Sequence, residues 1–191
     1  ESANNVGRAL DAVRYGQLIF IAYGDETAGS VKIRRCLTIA GCVGDTATTV
    51  DAAGPATEVA LAGPSGGTPT ILYVRGGDLR SAKCTNSTCT TLTLGPVLFI
   101  GTSYVAATVG TDGLPFIALL NAARSSISYL KCVDYGCASA LTGGGFGTTT
   151  VDARPGATLG SHGYPVVSAR VVSSFGLEIC DNPECASGRM R

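Results

Sequence analysis

The chain has 191 residues, with 14 Lys and Arg balancing 14 Asp and Glu, so it offers no electrostatic case for nucleic acid or an anionic membrane surface. Charged residues make up 15%, against about 25% in an average soluble domain, while glycine is abundant at 26 residues, which suits short strands joined by tight turns. No apolar run approaches the ~20 residues needed to span a bilayer, and Leu18 to Tyr23 is among the longest.

The eight cysteines fall in four close pairs, Cys36 with Cys42, Cys84 with Cys89, Cys132 with Cys137 and Cys180 with Cys185. The first member of each pair recurs every 48 residues, which makes the chain a fourfold repeat. Zinc is the rival reading of paired cysteines. The gaps are wide for most zinc knuckles, and a single histidine, His162, gives little support. Four local disulfides in an oxidising compartment are therefore expected, with no metal and no cofactor. The chain begins at Glu1 with neither an initiating methionine nor an apolar signal region, as expected of a processed secreted chain or an excised piece of a longer one.

Aligned on the cysteines, each unit opens with a strand of small residues: Ala9 to Val13, Glu58 to Leu61, Tyr104 to Val109 and Ala157 to Leu159. A turn follows, Gly16-Gln-Leu18 in the first unit and Gly-x-Pro at Gly67, Gly113 and Gly163 in the others. The next strand is the most apolar: Leu18 to Tyr23, Thr70 to Val74, Phe116 to Leu120 and Val166 to Arg170. Three of these four lack polar alternation, so both faces are expected to be buried. The strand leading into each cysteine carries apolar residues mostly five and three positions ahead of it, such as Val31 and Ile33, or Ile127 and Tyr129, which predicts one wet face. Outer strands are expected at Thr46 to Val50, Pro96 to Ile100 and Thr148 to Val151, the last after a glycine loop, Gly143 to Gly147. Nothing in the tail Ala186 to Arg191 reads as a fourth outer strand, which leaves Glu1 to Val6, a neighbouring molecule or a continuing repeat array to supply it.

Four antiparallel strands per unit of ~48 residues predict an all-β, four-bladed β-propeller in one domain, with its cysteine hairpins toward the outer rim. The blades are expected at about 7–52, 53–101, 102–153 and 154–191, with residues 1–6 or a strand from a neighbouring molecule completing the last. The runs Asp112-Gly-Leu-Pro-Phe-Ile, Ile127-Ser-Tyr-Leu-Lys-Cys and Thr149-Thr-Val-Asp152 resemble blade repeats of secreted propeller-like proteins. That resemblance implies the fold and an extracellular location, and transfers no catalytic residue.

No catalytic constellation stands out. His162 reads as an exposed turn residue. Asp45, Asp51, Asp112 and Asp152 sit at turns and strand ends, where local hydrogen bonding accounts for them. Asp181-Asn-Pro-Glu184 offers hard oxygens for calcium, but the equivalent loop Leu37 to Gly41 has no carboxylate, so no metal site is assigned. Asn86-Ser-Thr88 is an N-glycosylation sequon. There is no tryptophan to stack a sugar, and Tyr15, Tyr73, Tyr129, Tyr135 and Tyr164 do not recur at one blade position, which disfavours a repeated lectin pocket. The expectation is a non-enzymatic extracellular structural module, associating with itself or with other extracellular proteins and capable of forming a filament through an incomplete fourth blade. The alternatives are a glycan-binding propeller and, third, a hydrolase or lyase with its site in the central channel.

Overall fold

A computed structural model describes residues 5–37, 42, 46–63, 67–147, 154–171 and 174–190. Among them are sixteen strands and no helix, arranged as four antiparallel sheets of four strands, each a simple meander in chain order. The first sheet holds β1 (Val6–Tyr15), β2 (Leu18–Asp25), β3 (Ser30–Leu37) and β4 (Thr48–Asp51), and the second β5 (Glu58–Ala62), β6 (Thr70–Arg75), β7 (Asp78–Cys84) and β8 (Leu92–Ile100). The third holds β9 (Thr102–Val109), β10 (Pro115–Asn121), β11 (Ser126–Cys132) and β12 (Ala140–Gly147), and the fourth β13 (Gly156–Leu159), β14 (Pro165–Val171), β15 (Ser174–Cys180) and β16 (Gly188–Met190).

The first strands of successive sheets pack side by side, β1 on β5, β5 on β9 and β9 on β13. Their small side chains permit that approach. The apolar second strands are buried on both faces, as expected: Ile71 and Tyr73 of β6 join the core shared with the first sheet, while Leu72 and Val74 join the core shared with the third. Likewise Ile117 and Leu119 of β10 face the second sheet, and Phe116, Ala118 and Leu120 face the fourth. The cores thus lie between sheets. Packing of β13 back onto β1 is not comparable to these contacts among the described residues, so the structure has four blade-like sheets without showing a closed ring.

All four disulfides join the expected partners. They lie where the third and fourth strands of each sheet join, and the sulfurs of three are enclosed between sheets. Cys84 and Cys89 are buried in the core against the first sheet, Cys132 and Cys137 against the second, and Cys180 and Cys185 against the third. Two hairpins also bond to the preceding sheet: Ser81 Oγ donates to the Cys137 carbonyl at 3.1 Å, and Gly144 N donates to that of Cys185 at 3.1 Å. Inside the hairpins one residue does the turning. Asn86, Asp134 and Asn182 accept from the backbone N–H of Thr90, Ala138 and Ala186, and the second cysteines adopt a positive φ of 53°, 52° and 54°.

Two outer strands differ from expectation. The Gly143 to Gly147 run is part of β12 itself, because strand 12 must lie close to the next hairpin, where a Cβ on Gly144 would stand 2.7 Å from the Cys185 carbonyl oxygen. Thr148 to Val151 lies outside the described residues. The fourth sheet does have its outer strand: Gly188, Arg189 and Met190 pair with Cys180, Ile179 and Glu178. Residues 1–4 lie outside the described set, and Asn5 bonds to Glu26 and Thr27 in the first sheet rather than extending the fourth.

Candidate functional site at the inner-strand hub

The innermost strands bring together residues far apart in the chain. Leu10 and Asp11 of β1, Glu58 to Ala60 of β5, Val105 to Ala107 of β9, and Arg154, Pro155 and Ala157 beside and on β13 line one cavity of about 260 Å³. A larger cleft of about 620 Å³ shares Glu58 and Arg154 with it, and adds Arg8, Glu26, Thr102, Tyr104 and Arg124. The cavity is the hub and the cleft is its mouth.

Register explains why these residues meet. Glu58 pairs with Val74 and Tyr104 with Leu120, and those partners stand opposite Leu79 and Ile127, five residues ahead of their cysteines. Arg154 lies two residues ahead of the Gly156 to Ser168 pair and continues the fourth sheet to the same level. Three blades therefore contribute an acid, an aromatic and a base at one equivalent position.

Glu58 is 6% exposed, and its Oε1 meets the Arg154 guanidinium at 3.0 Å. Burial raises its pKa above the ordinary value, and the charge of Arg154 offsets this only in part. The second carboxylate of the hub, Asp11, is held by the backbone: Ala12 N–H donates to Oδ1 at 2.8 Å, and Leu61 N–H of the next sheet to Oδ2 at 2.7 Å. At the mouth, Arg124 and Arg154 lie 5.4 and 5.5 Å from the Tyr104 ring centre. Arg8 pairs with Glu26 at 3.6 Å. Thr102 is 3% exposed, and its Oγ1 has no hydrogen-bond partner among the described residues.

The residues singled out from the sequence lie elsewhere. His162 is exposed in the β13–β14 turn and lines a cleft with Ser161, Asp181 and Arg189, with no hydrogen bond described between Ser161 and His162. Asp181 pairs with Arg189 at 3.8 Å, and no cluster of three or more His, Cys, Asp or Glu suited to a metal occurs among the described residues. Asn86 is half-buried, and its side-chain amide bonds to Thr90 within the turn. Asp45 and Asp152 fall outside the described residues. Local turns do not fully account for Asp51 and Asp112: Asp51 accepts from Tyr73 Oη of the second sheet at 2.8 Å, and Asp112 from the buried Lys131 Nζ at 2.8 Å. Of the tyrosines weighed for sugar binding, none lines the hub or its mouth; Tyr104, which does, was noted only as the start of a strand.

No protein-family model matches the chain, and no curated protein matches it. Solved structures do. One is a novel α-L-arabinofuranosidase, CtGH43, from Clostridium thermocellum, with a TM-score of 0.59 and 12% identity over 96% of this chain and 71% of that one. The polysaccharide lyase Uly1 gives 0.58 and 11% over 93% of this chain and 53% of the lyase. A thermostable family-43 glycoside hydrolase gives 0.56 and 12% over 98% and 72%. These likenesses place the chain in a propeller-like fold.

They also overturn the expectation of a non-enzymatic assembly module, since the similar structures are carbohydrate-active enzymes rather than filament subunits. Its physical basis fails too, because β16 occupies the edge on which head-to-tail assembly was argued.

Proposed function

We propose that the protein is an extracellular carbohydrate-active propeller, which binds a glycan at the mouth of the hub and hydrolyses a glycosidic bond there. The observation that carries this reading is the pair Asp11 and Glu58, two carboxylates on neighbouring inner strands that line one cavity in different settings. Glycoside hydrolysis uses a carboxylic acid held neutral and a second carboxylate across the scissile bond. Glu58, with its raised pKa, is the acid. It gives its proton to the leaving glycosidic oxygen as the bond from that oxygen to the anomeric carbon breaks. Asp11, oriented by two backbone donors, faces the anomeric carbon and takes a proton from the water that adds to it. The four disulfides and the carbohydrate chemistry of the similar structures support an extracellular setting.

A glycan array followed by reducing-sugar assays on bound polysaccharides tests this. Release of reducing ends, lost in both Glu58→Gln and Asp11→Asn while binding persists, is the expected result. Binding with no release in the unmodified protein would leave a lectin, the second reading. Failure to bind any glycan would overturn both.

A further inference from the structure

The mouth cleft carries more positive than negative charge. Arg8, Arg124 and Arg154 line it with Glu26 and Glu58, and they come from the first, third and fourth blades. A guanidinium has five N–H donors in a planar fork, so a single ion pair, such as those of Arg8 with Glu26 and Arg154 with Glu58, does not exhaust it. Arg124 is held over Tyr104 and donates to its hydroxyl at 3.4 Å, and its backbone φ of 54° sets it at the tip of the β10–β11 turn. A second observation points independently to a ligand. Thr102 Oγ1, on the same wall, is buried without a partner, and a buried hydroxyl left unpaired is costly unless something in the cleft completes it.

We infer that the mouth cleft is a subsite for an anionic sugar, a uronate or a sulfated residue, whose charged group is held by Arg8, Arg124 and Arg154 while a ring hydroxyl bonds Thr102 Oγ1. The inference rests on the glycan reading of the hub and adds to it a charge requirement at the neighbouring position. Charge-assisted hydrogen bonds of this kind contribute about 1.5 to 3 kcal/mol each, or roughly ten- to a hundredfold in affinity.

Isothermal titration of the whole chain with four tetrasaccharides tests it: tetragalacturonate, its methyl ester, xylotetraose and a sulfated carrageenan tetrasaccharide. Tetragalacturonate or the sulfated probe should bind at least ~10-fold more tightly than the methyl ester and xylotetraose, with the advantage shrinking as salt rises past ~0.15 M. Which anion leads assigns the charged group to carboxylate or sulfate. Arg8→Gln and Arg124→Asn should each remove most of that advantage; asparagine suits the positive φ at position 124. Arg124→Lys should restore part of it. Equal binding of charged and neutral probes overturns the inference and leaves the glycan reading standing. An anion preference untouched by either arginine variant overturns the assignment to this cleft. Binding of none of the four removes the glycan reading and the inference with it.

Discussion

Tyr73→Phe isolates one bond between blades. The ring is 1% exposed in the core between the first two sheets, and phenylalanine preserves its packing, so no cavity opens. What is lost is the hydroxyl, which donates to Asp51 Oδ2 at 2.8 Å across to the outer strand of the first sheet. A hydrogen bond to a charged group contributes about 1.5 to 3 kcal/mol. Asp51 keeps the Ala53 N–H at 2.9 Å and the Arg75 guanidinium, so the expected loss is about 2 kcal/mol at neutral pH. The loss should depend on pH. Burial pushes the Asp51 pKa up, but the Ala53 N–H, the Tyr73 hydroxyl and the charges of Arg75 and Arg80 outweigh it and hold it below the ordinary 3.8. Stability from the ionised carboxylate is thus present above that value and disappears as pH falls through the folded-state value. The tyrosine hydroxyl is pushed the other way, by burial and by Asp51, so it stays a donor throughout this range. Urea unfolding of both proteins at pH 7 and below pH 3 should show the difference shrinking to about 1 kcal/mol in acid, the value for a bond between neutral partners. A difference independent of pH, or no coupling to Asp51→Asn in a double-mutant cycle, would refute the reasoning.

Three further outcomes follow from the same geometry. Replacing Cys132 and Cys137 together by alanine should cost more than the ~2 kcal/mol of closing so short a loop, because both sulfurs are buried between sheets; the Cys36 and Cys42 pair, with Cys42 only half-buried, should cost less in parallel urea titrations. Gly144→Ala should destabilise by about 1 to 3 kcal/mol, since its Cβ would press on the Cys185 carbonyl; an unchanged unfolding midpoint would show that the third and fourth blades do not meet there. Glu58→Gln should gain stability relative to the parent as pH rises from the ordinary glutamate value of 4.5 toward neutrality, because ionising a buried carboxyl whose folded pKa is raised costs stability above that pKa; a relative loss on raising pH would sink the assignment of Glu58 as the neutral acid.

The fold was legible because its determinants repeat. Strand positions, the four disulfides and two-sided burial of β6 and β10 all followed from apolar runs and cysteines recurring at one spacing. Burial of the cystines was not visible, because the hairpin loops are polar and only packing against the preceding sheet encloses the sulfurs. The fourth outer strand was missed because Gly188-Arg-Met190 has no β-propensity to mark it; the ladder on β15 forms it. The hub escaped for a different reason. A count of 48 sets Glu58 level with Ala106 and with Arg154, whereas the ladder pairs Glu58 and Tyr104 into the same level. The chain length between β1-type and β2-type strands varies by unit, and only the register reveals it.

Repetition and function therefore occupy different parts of each blade. The cysteine hairpin and the strand before it recur because every blade must seat against the one preceding it, and a buried cystine with an Asx turn solves that contact three times over. At the inner strand the constraint is different. Small residues such as Ala60, Ala106 and Ala157 bring four strands around one cavity, and the side chain at the mouth is then free of the packing rule that governs the rest. That position carries glutamate in the second blade, tyrosine in the third and arginine in the fourth. A symmetric arrangement would place like charges together, which is unfavourable. Divergence at one register level turns the same geometry into a polar site with an acid, a cation and an aromatic face, held in place by cores that lie between the blades rather than at the axis.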